Sequence, residues 1–250
     1  MTSGYEILFC VILCITGSSW LTHQEQVDNV PKFLRTVFEF NEKIWTNLLN
    51  PEKTDHPPTL TVPIGKIGRV NGKIGLNSDD DLKSWAITVA TSMTQNPPKE
   101  FSIPLEEIKK MGQIDLVTQL KCIEGWSDIR SYGGVRFIDF LNHYHLGTHS
   151  GKNIDFKNHP EDLFSYVGLE TPDGEYYVSI DMMSMLAPDT LLAFEMNGAP
   201  LAVANGAPLR LAISNKYGVK NLKRIGKIQF ADSKLPDYWG EQGYDWFIGL

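Results

Sequence analysis

Cysteine is scarce in this chain and poorly placed for cross-linking. Of three in 250 residues, Cys10 and Cys14 lie in an apolar N-terminal stretch and Cys122 stands alone beyond them. That excludes a disulfide-framework scaffold and leaves the redox compartment unread. Basic charge is also in deficit. The 23 Lys and Arg residues face 30 Asp and Glu, for a formal net charge of −7. Nucleic acid is excluded as a partner, because displacing its counterions needs a broad basic surface. Long apolar runs are missing too. Residues 7–16 make a run of ten, followed by the small residues Gly17, Ser18 and Ser19. That length suits the core of a signal peptide better than a spanning helix, which needs roughly 20 apolar residues. The segment carries Glu6 and no Lys or Arg, against the signal-peptide pattern, so an anchor extended to Leu21 stays open. No internal repeat or low-complexity stretch is present.

Periodicity divides what remains. Apolar residues from Val30 to Leu48 recur at spacings of three and four, which predicts an amphipathic helix over residues 30–50, ended by Pro51. Residues 51–68, including Asp55-His56-Pro57-Pro58, read as an extended lead-in. Beyond them, short β-type runs predict strands at 85–89, 101–103, 166–169, 176–180, 191–196, 209–213 and 225–230, and residues 119–123 lead into the cysteine. Residues 104–111 and 135–146 read as helices, the first opened by Pro104. Thr171-Pro172-Asp173-Gly174 reads as a hairpin turn. The expected class is α+β, with a mainly antiparallel, β-rich core. The expected organisation is a signal peptide or anchor at 1–20, helix and lead-in at 21–68, and one main domain at 69–250.

Two segments carry chemistry. Cys122, in Lys121-Cys122-Ile123-Glu124-Gly125-Trp126-Ser127, reads either as a buried inert thiol or as a reactive thiolate. From Arg210 to Phe230 the chain has six basic residues, Arg210, Lys216, Lys220, Lys223, Arg224 and Lys227, and no Asp or Glu. This local charge reversal reads either as a solvated basic face or as an anion site. A helical turn would put Lys220 and Lys223 on one face, within reach of one phosphate. His143, His145 and His149 lack the companion ligands of a zinc site, and Asp79-Asp80-Asp81 lacks the closing Glu of a calcium loop.

Three blocks in order carry a family resemblance: Cys122-Ile123-Glu124-Gly125-Trp126-Ser127, Tyr166-Val167-Gly168-Leu169-Glu170-Thr171, and Asn205-Gly206-Ala207-Pro208-Leu209-Arg210 continuing to Lys223. With these the chain resembles the sulfite-oxidase-fold molybdopterin oxidoreductases, and among them the single-domain bacterial type that reduces methionine sulfoxide in periplasmic proteins. The resemblance implies a β-rich, barrel-like molybdopterin-binding fold over 69–250, holding Mo-molybdopterin. It implies Cys122 as molybdenum ligand, and Thr171, Asn205, Arg210, Asn221, Leu222 and Lys223 as cofactor contacts. Asn71 is a further candidate contact, and Glu124 and Tyr132 are candidates for the substrate side. A soft thiolate suits a metal of this kind, and coordination requires the thiol deprotonated. The implied reaction is two-electron oxygen-atom transfer: reduction of a small or protein-bound S-oxide, or alternatively oxidation of sulfite or a related oxyanion. The implied setting is a monomeric catalytic domain in the periplasm or anchored facing it, served by a membrane-associated electron-transfer partner. A cofactor-binding subunit without turnover is the rival from another class, with the N-terminal run and the helix at 30–50 as its docking elements. Tyr132 stands where the family has Trp, and no twin-arginine pair precedes the domain.

Overall fold

The computed structural model describes residues 16–17, 19–20, 23–48, 69–70, 72–77, 82–91 and 99–249. The apolar run at 7–15, the lead-in at 51–68, Asn71 and the Asp79-Asp80-Asp81 turn lie outside the described residues.

A short ladder of β1 (Gln26–Val27) on β2 (Val30–Pro31) leads into helix α1 (Lys32–Leu48). The main domain follows as β3 (Ala86–Ala90), β4 (Glu100–Pro104), α2 (Leu105–Lys110), β5 (Ile114–Lys121), β6 (Ser127–Arg136) and α3 (Phe137–Tyr144). Then come β7 (Tyr166–Glu170), β8 (Tyr177–Asp181), α4 (Met182–Met185) and β9 (Leu191–Met196). The chain closes with β10 (Ala199–Pro200), β11 (Arg210–Ala212), β12 (Lys227–Ala231) and α5 (Tyr238–Glu241).

These strands form two five-stranded sheets. One has the order β4-β3-β12-β7-β8, antiparallel except for the parallel β3–β12 pair. The other has the order β10-β9-β6-β5, with β11 also pairing β9. The α+β reading holds.

Alternation along the strands decides what faces what. In β12 and β7, Ile228, Phe230, Val167 and Leu169 turn into the principal core. Strand β9 serves two cores: Leu192 and Phe194 join the principal one, while Leu191 and Ala193 join a second with Tyr132 and Ala212. Two buried arginines lie on this second face. Arg210 shares it with Ala212, and Arg130 shares it with Tyr132.

The helix expected over 135–146 starts two residues late. Val135 and Arg136 pair with Leu192 and Leu191, so ladder hydrogen bonds keep them in β6. Strand β6 is not among the expected strands; it contains the pair Gly133-Gly134, and glycine weakens a strand pattern. A register shift between these glycines bends the strand against β9. A Cβ at Gly134 would lie 2.3 Å from the Leu192 carbonyl oxygen and 2.7 Å from Ala193 Cα. Gly134→Ala is therefore expected to cost about 2 kcal/mol by forced backbone displacement. Urea unfolding should show this as a lower midpoint at unchanged m; a cost near zero would mean β9 gives way easily.

Candidate functional site

A five-residue loop joins β5 to β6 and carries the cysteine. The Cys122 amide donates to the Trp126 carbonyl at 2.9 Å, and the Gly125 amide donates back to the Cys122 carbonyl at 3.0 Å. Gly125 sits at φ 84, a left-handed conformation that glycine adopts at little cost. This tight closure sets Cys122 in the wall of a cavity of about 310 Å³, where it is 8% exposed.

The opposite wall comes from the C-terminal block. Asn205 ends a 3₁₀ turn (Val203–Asn205), and Arg210 opens β11. Arg210 Nη1 donates to the Asn205 carbonyl at 2.8 Å, Nη2 to that of Asn221 at 3.2 Å and Nε to that of Leu211 at 3.2 Å. Its guanidinium lies 5.3 Å from the centre of the Tyr132 ring. Burial, and beyond it the charge of Arg130, lowers the pKa of Arg210. Lys223 Nζ donates to the Gly72 carbonyl at 3.0 Å. Burial first, then Arg210 and Arg130, push its ammonium down to about 8. Arg130, Arg210 and Lys223 thus converge on one cavity, with Arg69 also in its lining, and Asn205 Oδ1 lies buried there without a hydrogen-bond partner.

The six basic residues of 210–230 divide by partner. Only Arg210 and Lys223 line the cavity. Lys216 is buried against Asp181 at 2.8 Å, Lys220 against Asp237 at 2.6 Å, and Lys227 meets Glu100 at 2.7 Å. Arg224 donates to the carbonyls of Ala207 and Leu76, each at 3.1 Å. Lys220 and Lys223 therefore do not share a face, which corrects that expectation. The turn Gly218–Lys220 is 3₁₀ and ends before Lys223, and Asp237 draws Lys220 inward. Nor is the stretch a solvated face, since Arg210, Lys216, Lys220 and Arg224 are buried.

Not every candidate touches the cavity. Asn221 lines it, but its side chain is occupied: Oδ1 accepts from the Ile213 amide, and Nδ2 donates to the Ile213 and Tyr217 carbonyls. Leu222 is buried in the principal core, and its amide donates to the Lys220 carbonyl. Thr171 is 2% exposed and donates to Asp173 Oδ1 at 2.6 Å, packing behind Gly75, where a Cβ would lie 2.4 Å from Thr171 Cγ2. Thr171 thus backs the 72–77 stretch that supplies Gly72 and Ile74 to the cavity. Glu124 lies at the mouth, 2.8 Å from Trp126 Nε1 and 3.6 Å from Arg69. Tyr132 was expected on the substrate side but is buried beneath Arg210, paired in register with Leu116 and Met196.

Other lining residues were not among the expected site residues: Arg130, Tyr176, Trp239 and Tyr244, and Trp126, which entered only as part of the cysteine block. Arg130 had a signal, an arginine two residues before Tyr132 in an alternating stretch and hence on its face. It pairs with Asp128 at 2.7 Å. The aromatics of residues 239–244 had none, because only tertiary packing brings them to the cavity. Among the described residues no group of three or more His, Cys, Asp or Glu is placed to hold a metal ion.

A family model described as "Oxidoreductase molybdopterin binding domain" matches residues 74–239. The chain belongs to this family. It is 37% identical over 145 residues to the putative protein-methionine-sulfoxide reductase subunit YedZ1 of Azospira oryzae, covering 58% of this chain and 50% of that protein. It is 30% identical over 161 residues to the protein-methionine-sulfoxide reductase catalytic subunit MsrP of Xanthomonas campestris pv. campestris, covering 62% and 47%. The chain thus spans about half the length of these relatives. Among solved structures, the sulfane dehydrogenase SoxCD of Paracoccus pantotrophus is similar over 63% of this chain and 41% of its own, with 15% identity and a TM-score of 0.49.

The residues present fit the family's cofactor. The converging cations suit a phosphate, the orphaned Asn205 oxygen suits a pterin N–H donor, and the Cys122 thiol could add a thiolate to a metal already bound by dithiolene sulfurs. The low pKa of Lys223 gives this fit a pH signature. Below pH 8 the ammonium is already charged, and phosphate binding needs no proton. Above pH 8 binding must take one up, because the anion raises the lysine pKa, so affinity falls. Molybdopterin retention is therefore expected to be highest near pH 7, where the phosphate is mostly dianionic and Lys223 mostly charged, and to decline as pH rises through about 8. Lys223→Gln should flatten the decline and weaken retention at pH 7 by roughly tenfold to a hundredfold, the worth of one charged hydrogen bond. Pterin content after dialysis across pH checks both, and an unchanged profile in the variant would remove Lys223 from the phosphate site.

Proposed function

We propose that this chain is the catalytic domain of a molybdenum–molybdopterin oxidoreductase that reduces an S-oxide, with methionine sulfoxide in a polypeptide as its substrate class. The observation that carries this reading is the convergence of the Cys122 thiol, the Asn205 oxygen and the cations Arg130, Arg210 and Lys223 on one cavity. The bound cofactor would supply two-electron oxygen-atom transfer. Arg210 and Lys223 would neutralise its phosphate, with Arg130 adding to the positive field. Asn205 would accept from the pterin, and Cys122 would give the metal a thiolate. Asn221 would hold the 213–217 loop in place, Thr171 would support the 72–77 wall, and Tyr132 would pack beneath Arg210.

The cavity lining favours an organic S-oxide over sulfite. Ile74, Ile123, Trp126, Tyr176, Trp239 and Tyr244 give it an apolar and aromatic character suited to a thioether side chain. Reduction consumes two electrons and two protons and yields the thioether and water. We assign the electrons to a membrane-associated partner and the enzyme to the periplasmic side. The names of the two relatives, protein-methionine-sulfoxide reductases, support the substrate class.

Protein from a cofactor-competent host, supplied with reduced viologen, is expected to turn over methionine sulfoxide in an oxidised protein. Cys122→Ser should lower kcat by at least about a hundredfold, roughly 2.7 kcal/mol of barrier. Molybdenum-loaded protein that oxidises sulfite and leaves S-oxides untouched would overturn the substrate assignment.

A further inference from the structure

Helix α1 is folded with its polar side inward. Phe33, Val37, Phe40, Ile44 and Leu48 recur at spacings of four and three and so share one face. All five are between 41% and 67% exposed. The buried residues of the helix are charged instead: Arg35 at 8% and Glu42 at 6% exposure. Arg35 reaches the body by hydrogen bonds to the carbonyls of Val27, Asp28, Gly240 and Tyr244, and Glu42 is ion-paired with Lys234. A surface helix ordinarily turns its apolar stripe to the core. Here hydrogen bonds and an ion pair hold the helix, and an apolar crest roughly 22 Å long faces away from the body.

We propose that the α1 crest docks the protein on a lipid bilayer, lying in the plane of the membrane surface. The chain continues this apolar feature at its amino end. Trp20, itself 54% exposed, packs edge-on against Phe33 at 6.2 Å, and the apolar run 7–16 precedes it in the sequence. Trp20 would enter the same apolar phase as the crest. Among the described residues no helix is long and apolar enough to cross a membrane, which fits α1 to a surface and not to a span. The crest itself carries no Asp or Glu; on the flank beside it Lys43 and Glu39 are both exposed and Lys32 is ion-paired with Glu25 at 2.7 Å, so the charges there offset and the apolar crest carries the docking. Docking also places the cavity. Asn41 and Trp45 of α1 line a groove with Ile123 and Tyr244, and these two also line the candidate active cavity. The mouth would then open beside the bilayer.

This inference stands apart from the oxidoreductase reading, because its test needs no cofactor. The full chain is floated with vesicles of phosphatidylethanolamine and phosphatidylglycerol and compared with Phe40→Glu/Ile44→Glu. The double variant is expected to lose at least about tenfold in bound fraction at an unchanged Tm, since both side chains are exposed. Should that variant unfold, Val37→Gln/Leu48→Gln serves in its place with the same expectation. Equal flotation of wild type and variant would overturn the proposal, since residues 7–16 alone would then carry the binding. A vesicle-independent dimer that the substitutions dissociate would also overturn it, in favour of a second copy on the crest. So would a wild type that binds an apolar protein partner while ignoring lipid.

Discussion

A buried guanidinium is the constraint on which the site depends. Arg210 is 2% exposed, and among the described residues its hydrogen bonds go to three carbonyls, with an aromatic ring beneath. Burying a cation without a carboxylate is costly unless dipoles replace its water. The carbonyls of Asn205, Leu211 and Asn221 do so, and in doing so they fix three separate segments relative to one another. Displacing any of them would leave the charge stranded.

Charge is distributed around Arg210 in a way that separates structure from function. Lys216 and Lys220 are buried too, each against an aspartate, and they tie the C-terminal block to Asp181 at the end of β8 and to Asp237 before α5. Burial pushes Lys216 down to about 8 even beside Asp181. Arg210 and Lys223 point the other way, into the cavity with Arg130. The result is a protein of net charge −7 with concentrated positive potential at one place. Carbonyls of the 69–76 stretch answer part of it, since Arg130, Lys223 and Arg224 donate to Arg69, Gly72 and Leu76. An anionic cofactor would answer the rest.

The fold class and most strands could be read from alternation and turn residues. The hairpin around Thr171-Pro172-Asp173-Gly174 is the clearest case, its turn chemistry and flanking strands agreeing. Strand β6 could not be read, because its paired glycines exist for close approach to β9, a contact that local pattern does not encode. Likewise the basic run 210–230 gave its charge but not its partners: Asp181, Asp237 and Glu100 come from distant segments. For Cys122, Asn205, Arg210 and Lys223 the resemblance pointed to residues that do share a cavity. Tyr132, Leu222 and Thr171 lie behind its walls, since the backbone pairing that sets side-chain direction is invisible in a motif.

Cys122 and the cationic wall would together form one cofactor site around a metal. X-ray absorption at the molybdenum edge tests it most directly, on protein from a cofactor-competent host and on its Cys122→Ser variant. Molybdenum is expected in both, held in the variant through the pterin phosphate, with one sulfur lost from the metal's coordination shell. Wild-type protein without molybdenum, or a variant whose sulfur shell is unchanged, would contradict it.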